Sequence, residues 1–188
     1  MSEPEFFRYN RDDMFNHGPK GYVCPLCLIA QGKSTERGNQ EPDVVLRNEV
    51  VTAFVSSKWW PKNKGHVIVI PNRHIENIYD MPDGVGHAIF DVSKQIALAF
   101  KETYGCEGTS LRQHNEPAGN QDVWHYHVHI FPRYMDDNLY QGHADTYWPS
   151  TEEKRPYTEK LKQYFDNSVL GPGIEPGTSS SSGTRSTN

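Results

Sequence analysis

An α+β domain, with a mostly antiparallel sheet covered by one long helix, is the fold class that the sequence predicts. Three observations carry the prediction. Short β-branched runs recur between turn-forming residues, one central stretch repeats its apolar residues at helical spacing, and residues 125–131 (HYHVHIF) alternate histidine with apolar side chains. The 188 residues leave room for one domain with a real core. A net charge of −5, from 19 Lys+Arg against 24 Asp+Glu, gives no basic footprint for duplex nucleic acid.

Residues 1–20 are polar with scattered aromatics and are expected to form an arm. Residues 44–46 and 50–55 are β-branched runs joined by Arg47, Asn48 and Glu49, which signals a hairpin. HVIVI at 66–70 is a strand that Pro71 stops. From Asp83, the expected N-cap, Val85, Ile89, Val92, Ile96 and Phe100 step by four, three, four and four. They form one helical stripe that Gly105 would end. Strands at about 107–114 and 123–131 follow, joined by HNEPAGNQ, and Leu161 and Phe165 predict a short helix around 157–166. The expected layout is therefore the arm, a chemistry-bearing domain at 21–140, an extension at 141–170 and a tail at 171–188. That tail holds 14 Gly, Pro, Ser or Thr among its 18 residues and is expected to be disordered. The N-terminus lacks the basic and apolar regions of a secretory signal, and no run is long enough to span a bilayer. Cytoplasmic residence away from membranes is the expectation.

On a strand, His125, His127 and His129 would share one face, with Trp124, Tyr126, Val128 and Ile130 on the other. Imidazole is nucleophilic only when neutral, and crowding three rings disfavours their protonated forms. Same-face strand neighbours lie about 6.6–7 Å apart, so one ligand group could span His127 and His129. A nucleophilic ring would split one hard displacement into two easier ones. Two other chemistries use the same row: a three-histidine metal that activates water, and a purely structural or binding surface.

CPLC supplies Cys24 and Cys27 at a spacing common in structural zinc sites, which need four N or S ligands. His74 and a member of the 125–129 row are the candidates for the other two. A redox pair and two unconnected thiols are the rival interpretations. Cys106 is expected to be a small, semi-buried residue. His17, His87 and His143 are expected to have no role, and His114 is not expected to touch phosphate. Trp59 and Trp60 could cover a nucleobase or fill the core, and Arg133 is expected on the surface.

QDVWHYHVHIFPR (121–133) resembles the signature of the histidine triad superfamily of nucleotide hydrolases and transferases, and NKGHVIVIPNRHI (63–75) is similar to its second hallmark. The resemblance runs from about Tyr22 to Tyr134. It implies a five-stranded antiparallel sheet, pairing into homodimers, and His127 as a nucleophile that attacks the α-phosphorus of a nucleotide. His129 would hydrogen-bond the phosphate, and His66 matches a further histidine of the family site. For zinc-containing members the resemblance implies ligands Cys24, Cys27, His74 and His125. Substrate contacts would come from Asn63, Asn115, Gln121 and His129, together with Gly119, whose missing side chain lets backbone N–H groups approach phosphate. Where members commonly carry a ribose-contacting Asp or Asn, this chain has Ser56, Ser57 and Lys58. The expected function is nucleotide hydrolysis. Nucleotidyl transfer or dinucleoside polyphosphate phosphorolysis is the alternative within the class, and a non-catalytic, zinc-stabilised nucleotide-binding protein the alternative outside it.

Overall fold

The computed structural model describes residues 17–35 and 41–169. Residues 1–16 of the expected arm and the 171–188 tail lie outside the described residues. Five strands, β1 (Val44–Arg47), β2 (Val51–Val55), β3 (Val67–Pro71), β4 (Gly108–Gln113) and β5 (Val128–Arg133), form one antiparallel sheet. Their order is β1-β2-β3-β5-β4. The β1–β2 hairpin closes on Asn48, whose Oδ1 accepts the backbone N–H of Val50 and Val51 at 2.8 Å each.

Period-two alternation gives the sheet two different faces. Val67, Val69, Val128 and Ile130 pack in one core cluster with Ile89, Val92, Ile96 and Phe100 of helix α2 (Asp83–Thr103). Phe54, Ile68 and Ile70 join a second cluster with Leu26 and Ile29 of the short helix α1 (Pro25–Ala30). The α2 stripe is the one its spacing predicts. Its start differs by one residue: Pro82 occupies the cap position without a side-chain bond, and Asp83 is the first helical residue. There its carboxylate meets the positive end of the helix dipole.

Two expectations are corrected. The C-terminal helix α3 runs over Thr151–Val169, far longer than 157–166, with Pro156 inside it. Proline removes a helical hydrogen bond, but Ser150 and Glu153 form a reciprocal cap. The Ser150 N–H donates to Oε2 of Glu153 (3.1 Å), and the Glu153 N–H donates to Oγ of Ser150 (3.2 Å). One turn on, Lys154 donates to Asp43 at 2.6 Å with both side chains almost fully buried, 2% and 4% exposed.

The strand expected at 123–131 begins only at Val128. The segment before it pairs with the loop beyond β3 instead of with a strand. The Tyr126 N–H donates to Ile75 O, and His125 Nε2 donates to the carbonyl of Pro71, where β3 ends (2.9 Å). Tyr126, Val128 and Ile130 still turn toward α2, whereas Trp124 leaves that face and meets Tyr22 edge-on.

Gly65, just before His66, has φ +73°, and a Cβ there would run into the Tyr157 ring of α3. Only glycine satisfies both constraints.

Candidate metal corner and cleft

The two residues of CPLC sit at the head of α1. Cys24 caps that helix, with Sγ accepting the Cys27 N–H at 3.4 Å. His74, just past β3, and His125 complete a group of four whose donor atoms all lie within 4.8 Å of one another. Cys24 Sγ is 3.3 Å from His125 Nδ1, and Cys27 Sγ is 3.3 Å from His74 Nδ1 and 3.5 Å from His125 Nδ1. A tetrahedron with ordinary Zn–S and Zn–N bonds places its donors about 3.5 Å apart. The second coordination layer fits as well. Pro71 O accepts from Nε2 of His125, so Nδ1 presents its lone pair to the thiols. Burial pushes the Cys24 thiol up to about 12 and raises that of Cys27. A cation among the four would supply the charge that favours the thiolates. The cluster can hold a metal ion.

Beside this corner lies a cleft of about 450 Å³. A single row across the sheet lines it. Phe54 on β2 pairs with Ile68 on β3, Ile68 with His129 on β5, and His129 with Arg112 on β4. Leu26, Ile29 and Val123 extend the apolar end, and His127, His114, Asn120 and Asp122 surround the polar end.

His127 Nδ1 lies 2.7 Å from the carbonyl oxygen of His125. A carbonyl only accepts, so Nδ1 carries the proton and Nε2 keeps its lone pair. Asp122 Oδ1 is 4.0 Å from that Nε2.

His129 Nδ1 is 3.3 Å from His66 Nε2, and His66 Nδ1 is buried without a partner. A buried unpaired N–H costs more than an unpaired lone pair. His66 therefore donates through Nε2 to His129, whose own proton sits on Nε2. Burial, then the charge of Arg112, pushes His66 down to about 3. Burial, then the neighbouring His127 and His66, holds His129 well below the ordinary histidine value. Both rings are neutral at pH 7.

Residues 37–136 match the HIT domain. The chain belongs to the HIT family. It is 35% identical to Protein hit of Bacillus subtilis over 109 residues, 56% of this chain and 74% of that protein. Adenylylsulfatase HINT3 of Arabidopsis thaliana is 27% identical over 121 residues, 64% of this chain and 57% of that protein. The crystal structure of a Zn-bound histidine triad family protein from Mycobacterium smegmatis superposes with a TM-score of 0.62 at 21% identity. That match covers 77% of this chain and 94% of the other and shows the same fold.

The structure brings together some of the HIT residues that the sequence singles out and separates others. His127 and His129 line the cleft, His66 stands fully buried behind them, and Cys24, Cys27, His74 and His125 converge. Asn63 is elsewhere. It is fully buried, and its amide donates to Pro132 O (2.8 Å) and to Asp137 (2.7 Å). Asn115 and Gln121 brace the loop. Asn115 Oδ1 accepts from the Ile78 N–H, and Gln121 Oε1 accepts from the Glu116 N–H. The Gly119 carbonyl bonds Nδ1 of His114, and its neighbour Asn120, with φ +67°, is the loop residue that lines the cleft.

Several cleft residues escape sequence reasoning. His114 faces the cavity. So do Trp148, from beyond β5, and Arg112, while Ser56, Ser57 and Lys58 line it where family members commonly carry the ribose-contacting residue. Trp59 is core, and Trp60 borders the cleft. Arg133 is not a free surface charge, because it grips Asp137 with two bonds of 2.7 and 2.8 Å. That pair holds Asp137 well below the usual carboxylate range.

Proposed function

We propose that this HIT protein hydrolyses a nucleotide ester, anhydride or phosphoramidate at the α-phosphorus through a covalent nucleotidyl-His127 intermediate. One observation carries the proposal: the His125 carbonyl fixes His127 with its proton on Nδ1, which leaves a nucleophilic Nε2 at the cleft. Attack forms an Nε2–P bond and expels the leaving group with the electrons of its bond to phosphorus. The ring is then cationic, with its Nδ1 proton still held by the carbonyl and Asp122 nearby. Water next attacks phosphorus, the P–N electrons return to Nε2, and a proton passes to solvent.

His129, set by His66, donates its Nε2 proton to a phosphate oxygen. The apolar end of the row, Phe54 and Ile68, takes the nucleoside. Zinc fits Cys24, Cys27, His74 and His125, and when bound it would tie α1 to the residue whose carbonyl orients His127. The likeness to the relative named adenylylsulfatase HINT3 supports the hydrolytic reading.

A second copy is proposed to dock along the free edge of β4, where Leu111 is exposed, and beside the exposed Phe90 and Leu98 of α2. Light scattering should then give a dimer mass. Among the described residues no helix is long and apolar enough to cross a membrane.

A three-substrate panel tests the activity: adenosine phosphoramidate, a dinucleoside polyphosphate, and the latter with inorganic phosphate added. Release of nucleoside monophosphate without added phosphate supports hydrolysis. Release of nucleoside diphosphate only when phosphate is present would replace it with a phosphorylase. Micromolar nucleotide affinity without turnover would replace it with a zinc-stabilised binding protein.

A further inference from the structure

Arg112 has an unusual position. Its side chain makes no hydrogen bond and no ion pair among the described residues, and its buried Nε has no partner. The guanidinium instead lies over the rings of Trp60 and Phe131, with its central carbon 5.2 Å from each ring centre. Burial lowers its affinity for the proton, yet an arginine remains charged. The Asp122 carboxylate favours its charge from a distance, but a partly buried cation beside two aromatic rings, its Nε without a partner, remains costly without a ligand. Its open side lines the cleft.

The sheet sets where that charge falls. Arg112 is the cross-strand partner of His129, one strand spacing (about 4.8 Å) farther along the row than the imidazole. The nucleoside end, Phe54 and Ile68, lies on the opposite side of His129. His127, just before β5, and His129 and Phe131 within it follow at two-residue spacing, and the guanidinium lies over Phe131. It therefore sits on the side of His129 away from the nucleophile. An in-line displacement at phosphorus expels its leaving group on the side opposite the attacking atom.

We infer that Arg112 is a catalytic residue that binds the leaving group, taking the oxygens of a second phosphate and favouring substrates whose leaving group is itself a phosphate. The inference rests on the α-phosphorus chemistry proposed above. In that reaction the P–O electrons pass to the departing phosphate oxygen, and the guanidinium meets the charge that forms there. Asp122, the acidic group of the cleft, lies on the nucleophile's side and opposes the ring that becomes cationic. The sequence holds no local hint of this, because the position of Arg112 follows from strand register.

Arg112→Met keeps the aliphatic stem against Trp60 and Phe131 and removes the charge. The test compares kcat/KM for diadenosine triphosphate, whose leaving group is a nucleoside diphosphate, with kcat/KM for adenosine 5′-phosphoramidate, which releases ammonia. The ratio of the two should fall by about a hundredfold in Arg112→Met, the scale of a lost charge-stabilising donor. Arg112→Lys should recover part of the ratio. An unchanged ratio overturns the inference, whether both rates fall together or neither does.

Calorimetry in a His127→Ala background separates this test from the hydrolase proposal. There Arg112→Met should weaken adenosine diphosphate binding at least tenfold and shift adenosine binding less. If the wild-type protein turns over neither substrate, the hydrolase proposal fails while this binding difference still decides the role of Arg112. Equal weakening for both ligands overturns it.

Discussion

His125 and His127 stand two residues apart, carry the same ring, and are each held by a backbone carbonyl through opposite nitrogens. In His125 the bond to Pro71 O uses Nε2 and leaves Nδ1 to the thiols; in His127 the bond to His125 O uses Nδ1 and leaves Nε2 to the cleft. Side-chain identity therefore does not assign the role. The acceptor on the far side of each ring does, by choosing which lone pair is presented. The two corners are also joined in series, since the carbonyl that orients His127 belongs to the residue facing Cys24 and Cys27.

The sharpest way to break this contrast is to remove each ring. His127→Ala should lower kcat by at least about 10⁴-fold with little change in melting temperature, and steady-state kinetics would show it. Retention of more than about a hundredth of the rate removes His127 from its role. Cys24→Ser should act on the other corner. Metal analysis should show loss of zinc, and stability should fall by about 3 kcal/mol, or about 6–12 °C in melting temperature for a chain of this size. An unchanged melting temperature would argue against a folding role for the metal.

Gly65→Ala probes the third imidazole through its neighbour. The positive φ and the overlap with Tyr157 should cost about 2 kcal/mol, read as a lower urea midpoint at constant slope. An effect of similar size is expected on pH dependence. Unfolded His66 takes up a proton as pH falls below about 6.5, whereas the folded ring stays neutral down to about 3. Its contribution is complete above pH 6.5 and declines by about 1.4 kcal/mol per pH unit below that, levelling near 3. His66→Leu should flatten this dependence between pH 6.5 and 5, and an unaltered slope would show that the ring is not kept neutral by burial.

Much of the scaffold was legible because its signals are local. The β1–β2 hairpin, the HVIVI strand and the α2 stripe follow from spacing alone. The metal corner was legible only in part: CPLC declares itself, but its histidine partners come from family resemblance, since they lie 47 and 101 residues away in sequence from the thiols they face. What failed were features set by distant partners. Asn63 reads as a free amide in a polar stretch until Asp137, 74 residues later, claims it. The late start of β5 depends on where β3 ends, and Pro156 hides a helix that the Ser150–Glu153 cap and the Lys154–Asp43 pair sustain. The cap was readable as S-x-x-E; the ion pair was not.

That ion pair also has a consequence for biosynthesis. Asp43, which ends the turn leading into β1, is made early in translation, and its counter-charge arrives 111 residues afterward. A chain truncated after the triad strand would keep His127 and His129, yet would lack Trp148 of the cleft and the Lys154 ammonium that meets Asp43. Maturation of the amino-terminal hairpin should therefore wait for the last helix to emerge, so nonsense truncation near residue 150 would yield an unstable product rather than a smaller enzyme.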